Sequence, residues 1–402
     1  MTEKVLEGFF ELFLNKESVF SNKKVLQSAY IPEIILHRED QTKQIANILA
    51  PVLRGEKPSN VFVYGKTGTG KTLTIKHTTQ KLAEISSQKG SFPLKVLYIN
   101  CKLKRSTDTE YRLIAQLARE LGEEVPATGL PTEEVYRSFF AALSRQTQNY
   151  LLVLDEIDQL VNKIGDNILY NLLRINEDMD SQISIIGISN DIMFVDSLDP
   201  RVRSSLSEEE AVFPPYNALQ IQAILRQRSE IAFNKDALEE GVIEKCAAYA
   251  ARDHGDARRA LELLRVGGEI ADRKNLMKIT IDLIDEAEGK IDRDRIIDIV
   301  TTQPKQYNLV LYSVISLQEG RTSNLFTGEV YDLYKSLCNK TNTSILTQRR
   351  ISDIISEFDM LGIVNAKVIS KGRYGRTREI SLEVPQNILP KVKSILEDSI
   401  KI

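Results

Sequence analysis

Apolar and polar positions divide the 402-residue chain into stretches of different period. Between 34 and 216, short aliphatic and β-branched runs recur: VFVY at 61–64, KVLYI at 95–99, YLLVLD at 150–155, ISIIGIS at 183–189 and AVF at 211–213. Longer segments with helical spacing separate them. Near-continuous apolar strands alternating with helices predict a parallel sheet covered on both faces, because a sheet with one wet face would alternate apolar and polar positions. From 217 to 290 the period is helical throughout, as in ALQIQAILRQRSEIAF and GVIEKCAAYAARDHG, and predicts a small all-α domain. A third region, 295–402, continues in helices and then a hairpin-like pair of runs in NAKVISKGRYGRTREISLEV. Residues 1–33 predict an amphipathic helix and a polar linker, SNKKVLQS, which together form a lead-in segment and no domain.

Composition changes this picture little. A hydrophobic content of 42% and a charged content of 27% are those of an ordinary globular chain, and the length allows two or three separate cores. Cys101, Cys246 and Cys338 are far apart and lack metal-ligand spacing, so they are expected as buried thiols in a reducing compartment. No apolar run approaches the ~20 residues that span a bilayer, and Glu3, Glu7 and Glu11 interrupt the N-terminal run, which predicts a cytoplasmic protein without membrane contact. The net charge of −3 means that any nucleic acid must be held by local basic patches.

The first candidate chemistry is GKTGTGKT at 65–72. Gly65, Lys66, Thr67, Gly68, Thr69, Gly70, Lys71 and Thr72 follow the VFVY run and open the helical run LTIKHTTQKLAEI. Glycines let backbone N–H groups curl around phosphates, and the helix N-terminus adds its positive dipole end. Lys71 would reach the β- and γ-phosphates and the Thr72 hydroxyl would ligate Mg²⁺. A glycine-rich turn without a ligand is the plain alternative, and the flanking strand and helix count against it.

LLVLDEID at 151–158 ends an apolar run in adjacent carboxylates. Asp155 is placed to hold Mg²⁺ and Glu156 to polarise the attacking water, since neighbouring strand-end positions point differently. Asp158 most simply caps the following helix. Asn190 ends the run ISIIGISN, where a neutral amide can orient water against the γ-phosphate, although Asn is also an ordinary strand-end turn residue. In GDARRAL at 255–261, Arg258 opens a helix of the all-α region and would reach the phosphates from there, linking nucleotide state to the interdomain angle. A merely solvated arginine is disfavoured at a helix N-terminus.

In chain order, GKTGTGKT, LLVLDEID, ISN and GDARRAL resemble the Walker A, Walker B, sensor 1 and sensor 2 motifs of AAA+ ATPases. YIPEIILHRED at 30–40, LDPRVRSSLSEEEAVFPPY at 198–216 and the long segment at 101–140 resemble the origin-recognition and helicase-loading initiator branch, its archaeal form especially. The resemblance implies an α/β AAA+ P-loop sheet of five parallel strands with helices on both faces at 34–216, an initiator-type insertion at about 105–140, an α-helical lid at 217–290 and a C-terminal winged helix at 295–402. It implies ATP/ADP and Mg²⁺ as ligands, weak ATPase turnover used as a switch, and Pro32, His37 and Arg38 at the adenine-pocket entry. The implied partners are double-stranded origin DNA, the replicative helicase and another initiator paralogue, in a nucleoid-associated protein. Ser205 stands where relatives with an arginine finger often carry Arg, leaving Arg201 and Arg203 nearby, which argues against stable rings of this chain alone.

In the third region, Ile351, Ile354, Ile355, Phe358 and Leu361 are spaced to place one helix face on a core. Thr347, Gln348, Arg349 and Arg350 then fall in the first turn, where a recognition helix meets base edges and phosphates. Lys371, Arg373, Tyr374, Arg376 and Arg378 crowd the expected hairpin tip. Residues 340–378 hold eight basic and three acidic side chains, an excess of five that falls to four when Glu379 is included. A protein-binding winged helix is the plain alternative. Among whole functions, a clamp-loader subunit would end in a helical collar, whereas a nucleotide-gated transcription regulator can carry a winged helix and differs in what it does to DNA after binding.

Overall fold

The five apolar runs form one parallel sheet in the order β2-β3-β4-β1-β5, with β1 at Asn60–Tyr64, β2 at Leu94–Asn100, β3 at Asn149–Asp155, β4 at Gln182–Ser189 and β5 at Glu208–Val212. The computed structural model describes residues 17–89, 92–102, 108–126, 128–145, 148–174, 181–206, 208–319, 321, 323–370, 376–386 and 388–401. Every residue of β1 and β3 is buried, which is why their sequence lacks alternation. Along β3, Leu151 and Val153 face one core with Ile45, Ile75 and Ile186, while Leu152 and Leu154 face the other with Leu113, Phe139 and Ile185. Helices α1 (Glu39–Leu49) and α2 (Lys71–Lys89) cover the first face. The second is covered by α3 (Glu110–Glu120), α4 (Thr132–Leu143), α5 (Ile157–Ile164), α6 (Asn167–Arg174) and α7 (Pro200–Leu206).

Strand β5 departs from the expected AVF at 211–213. It starts at Glu208 and takes in three glutamates before Ala211 and Val212. Among the described residues it is an edge strand, paired with β1 on one side, and charge is tolerated there. A search for apolar runs overlooks such a strand.

Helices α8 (Ala218–Ala232), α9 (Val242–Arg252) and α10 (Ala257–Arg273) form the all-α part of the same compact unit, which spans Met1–Ile284. An Asn217–Gln220 capping box opens α8. The expected polar linker is packed instead. Ser18 Oγ and Val19 N donate to the Asp272 carboxylate at 2.7 and 2.9 Å, and Phe20 stacks on Phe233 with ring centroids 5.0 Å apart. Val25 and Leu26 are buried. Its apolar residues are too sparse to show a period.

The second unit spans Asp285–Ile402. Helix α11 (Ile281–Thr302) enters it and is followed by α12 (Lys305–Gln318), β6 (Leu325–Phe326), α13 (Thr327–Lys340), α14 (Gln348–Met360), β7 (Val364–Ser370), β8 (Arg376–Leu382) and α15 (Leu389–Ile400). The strands form an antiparallel sheet in the order β6-β8-β7, with Val364 opposite Leu382 and Ser370 opposite Arg376. Ile351, Ile354, Ile355 and Phe358 lie in its core, on the face that their spacing predicts. This is a winged-helix arrangement.

Cys101, Cys246 and Cys338 are buried thiols, and burial pushes the Cys101 and Cys246 thiols up to about 12. Among the described residues no helix is long and apolar enough to cross a membrane.

Candidate nucleotide site and nucleic-acid interface

Strand register assembles the first site. Asn100 pairs with Asp155, Asp155 with Ile188, and Tyr64 with Ser189. The residues that follow Tyr64, Asp155 and Ser189 therefore emerge side by side at the carboxyl edge of the sheet, where open parallel sheets bind ligands. They are the phosphate loop from Gly65, Glu156 and Asn190.

The loop needs its glycines for space as well as for conformation. Gly65 has φ +154, and a Cβ there would fall 2.4 Å from the Phe213 carbonyl. Gly68 has φ +71, and a Cβ would collide with the Asp256 carboxylate, 1.7 Å away. Lys66 and Thr67 are exposed at the tip and Thr69 is buried, its hydroxyl donating to the Lys66 carbonyl at 2.8 Å. Lys71, at the start of α2, is 6% exposed. Its ammonium donates to the Gly65 and Lys66 carbonyls at 2.6 and 2.8 Å and to Asn190 Oδ1 at 2.9 Å. Burial, aided by the nearby Arg258 cation, pushes the Lys71 ammonium down to about 8 against the pull of Asp155, Asp158 and Glu156.

Thr72 Oγ1 donates to Asp155, with its two oxygens at 3.0 and 3.3 Å. A hydroxyl and a carboxylate in this contact form the oxygen pair that a hard divalent cation requires. Tyr98 on β2 donates a short hydrogen bond to Asp155 Oδ2. Burial and this bond both push its phenol well above the ordinary range. Glu156 adopts φ +58 and ψ +47 at the N-cap of α5, a costly conformation for a residue with a Cβ. Its carboxylate is directed off the strand line, 3.7 Å from Lys102 Nζ.

Asp158 does not cap this helix. It lies inside the first turn, 8% exposed, and its Oδ1 accepts from Ser189 Oγ and Asn190 N at 3.2 and 3.4 Å. The D-x-x-D spacing alone does not reveal this, because the partners lie on another strand.

From the all-α part, Asp256 caps α10 by accepting from the Arg258 and Arg259 amides, and Ala257 N donates to the Gly68 carbonyl at 3.3 Å. Arg258 thereby lines the same cleft as Gly68, Gly70 and Thr72. The cleft runs between the phosphate loop and the all-α part. Its apolar end holds Tyr30, Pro32, Ile35, Ile224 and Leu261. Two further lining residues escaped the sequence reading. Tyr216 stacks on the Arg38 guanidinium at 3.8 Å, and Arg228, 5% exposed, lies 4.5 Å over the Tyr30 ring with Nε and Nη1 buried and without a hydrogen-bond partner. An aromatic before α8 and an arginine inside it match no linear motif. Of the expected adenine-entry residues, Pro32 lines the cleft but His37 and Arg38 do not. Arg38 is buried beneath the loop, donating to the Thr69 and Pro214 carbonyls at 2.8 and 2.5 Å, so it supports the loop from behind. Burial lowers its guanidinium from the ordinary value. Arg201 pairs with Asp199 at 3.0 Å and Arg203 with Asp196 at 3.0 Å.

The second site is a groove on the winged helix lined by Thr327, Gln348, Arg349, Ser352, Thr377 and Arg378. Gln348 and Arg349 are exposed in the first turn of α14. Arg378 crosses from β8 to donate to Ser352 Oγ at 3.1 Å. Thr347 is the N-cap, its hydroxyl accepting from Arg350 N. Arg350 turns back into the domain: Nη2 donates to Tyr307 Oη at 2.9 Å and Nη1 lies 3.6 Å from Glu357. Lys371, Arg373 and Tyr374 lie outside the described residues, as does the side chain of Arg376.

Three family models match the chain in succession: an AAA domain over 54–191, the Cdc6 AAA+ ATPase-type lid domain over 222–289 and the CDC6 C-terminal winged helix domain over 298–392. The chain is 52% identical over 396 residues to ORC1-type DNA replication protein 1 of Methanosarcina mazei, covering 98% of this chain and 94% of that protein. With the ORC1-type DNA replication protein of Thermococcus onnurineus it shares 51% over 401 residues, 98% of this chain and 95% of the relative. Among solved structures, the Aeropyrum pernix ORC1 protein in complex with DNA superposes with a TM-score of 0.86 at 43% identity, covering 95% of this chain and 98% of the other.

Proposed function

The chain belongs to the archaeal ORC1-type DNA replication proteins, an ATPase family of AAA, lid and winged-helix domains, and from that premise we propose that it binds double-stranded origin DNA under the control of bound nucleotide and helps recruit or load the replicative helicase. The observation that carries this reading is the presence in one chain of a phosphate loop whose Lys71 and Thr72 meet Asn190 and Asp155 beside a cleft and of an exposed groove bearing Gln348, Arg349 and Arg378. The DNA-bound Aeropyrum relative supports the DNA-binding part.

In the cleft, the apolar end takes the base and Lys71 exchanges its loop carbonyls for phosphate oxygens. Thr72 and Asp155 are suited to hold Mg²⁺, which supplies charge neutralisation at the phosphates. Glu156 accepts the proton of the attacking water and Asn190 orients that water. Arg258, placed on α10 by the Asp256 cap, senses the phosphates from the lid. Turnover of this kind is slow and serves as a switch, with ATP and ADP as the two states. On the winged helix, Gln348 and Arg349 read base edges, and Arg378, with the basic and aromatic residues Lys371, Arg373, Tyr374 and Arg376, contributes contacts to the DNA. The proposed domain limits are 34–216, 217–290 and 295–402, the proposed protein partner besides helicase is a second initiator paralogue, and the proposed site of action is the nucleoid.

Nuclease footprinting on the chain's own genome, with ATP and with ADP, tests the reading. A protected site near an origin that changes with nucleotide is expected. Equal binding to origin and random duplex at every salt concentration overturns it.

A further inference from the structure

Asp158 takes no part in the steps above, yet its side chain is buried at the centre of the site. A carboxylate is costly to bury unless donors surround it. Two of its donors come from across the sheet edge and the third is a side chain of its own helix. Oδ1 accepts from Asn190 N at 3.4 Å and from the Ser189 hydroxyl at 3.2 Å, a proton that Ser189 shares with the Asp191 carbonyl at 3.1 Å. Oδ2 accepts from Gln159 Nε2 at 3.1 Å. Asn190 is thus held at both ends, its backbone by Asp158 and its side-chain oxygen by Lys71.

These two holds differ in kind. Lys71 is the group that a phosphate would draw away, whereas nothing in the proposed chemistry competes for Asp158. We propose that Asp158 is a positioning residue for Asn190: it pins the Ser189–Asn190 backbone to the first turn of α5, so that arrival of the γ-phosphate frees only the Asn190 amide. That amide then turns from accepting at Oδ1 to donating at Nδ2 about a fixed backbone. Because Glu156 is two residues before Asp158, the pin also sets the spacing between the residue that orients the water and the residue that deprotonates it. The inference rests on the ATPase reading given above.

The test is a double-mutant cycle in the full chain, read as single-turnover rate and as ATP and ADP affinity. Asp158→Ala is expected to slow turnover on the order of 30-fold, as displacement of a reacting group by a fraction of an ångström does, with both affinities within about twofold. Asp158→Asn keeps an oxygen that can accept from Asn190 N and is expected to restore most of the rate. In the Asn190→Ala background, Asp158→Ala is expected to cost nothing further. Multiplying losses in the double variant, no rescue by Asn, or parallel loss of both affinities with the melting temperature each overturn the proposal. Should Asp158→Ala not fold, Ser189→Ala and Asp158→Asn complete the same cycle with Asn190→Ala. Wild-type turnover no faster than that of Glu156→Gln overturns the ATPase reading and this inference together, whereas normal wild-type turnover with an additive cycle overturns the inference alone.

Discussion

At the phosphate loop, Lys71 donates to three oxygens of its own chain, and behind the loop the guanidinium of Arg38 is buried against three carbonyls and an aromatic ring. On the winged helix, Gln348 and Arg349 stand exposed at the start of α14. The first arrangement suits a phosphate: the charge is already in place, and binding would exchange one set of acceptors for another. The second suits a polyanion whose backbone is met in solvent and whose affinity depends on released counterions. One chain therefore carries a site that should respond to single buried atoms and a surface that should respond to salt.

The largest expected effect lies in the cleft. Lys71→Ala should weaken ATP binding by about 100-fold or more, the scale of removing one partner from a buried charged contact, as measured by fluorescent-nucleotide titration. Glu156→Gln should leave that affinity within about twofold and lower turnover by about 100-fold or more. Normal hydrolysis by Glu156→Gln would remove it from its role and weaken the contrast between a chemical site and a binding surface.

On the winged helix, Arg349→Ala should narrow the gap between origin and random duplex by roughly 1–3 kcal/mol if it meets a base edge. Arg378→Ala should instead weaken both and reduce the salt slope by about one if it meets a phosphate. Salt titration on both duplexes distinguishes the two outcomes, and a salt slope unchanged in both variants would show that this groove is not the DNA surface.

A smaller effect follows from the depressed Lys71. The ammonium form binds phosphate, and its free-state value of about 8 means that the protonated fraction falls roughly tenfold between pH 8 and about pH 9.3. ATP affinity should fall as pH rises through this window by up to about tenfold and stay level below pH 7. A flat profile up to pH 10 would mean that Lys71 keeps its proton. The smallest effect is expected from Arg350→Met. Because Tyr307 and Glu357 hold this side chain, the salt slope should stay within about half a unit of wild type while thermal stability drops slightly. A full unit lost from the slope would return Arg350 to the DNA-facing set.

Much of the cleft was legible in the sequence because the chemistry of phosphate restricts residue type at fixed spacing. A glycine loop, a lysine and a hydroxyl must follow a strand, and an acid must end another strand of the same sheet. Gly65 to Thr72, Asp155, Glu156 and Asn190 were identified that way, and burial along β1 and β3 followed from uninterrupted apolar runs. The α14 core face was legible for a similar reason, since Ile351, Ile354, Ile355 and Phe358 keep helical spacing. The glutamates of β5 and the packed segment at 17–36 were not, because an edge strand and a strap of isolated contacts leave no period.

What only the tertiary structure decided concerns partners distant in the chain. Asp158 lies 32 positions from Asn190 and Arg38 lies 31 from Thr69. Arg350 reaches Tyr307 across 43. A local pattern records the demands of the backbone and of a ligand on neighbouring residues, which is why the motifs and the periods of helix and strand could be read along the chain. Whether an acid caps its own helix or pins another strand, and whether an arginine faces a groove or supports a loop, depends on which elements the sheet order and strand register bring together. Those contacts arise from burial and hydrogen bonding between elements, and no window of consecutive residues contains them.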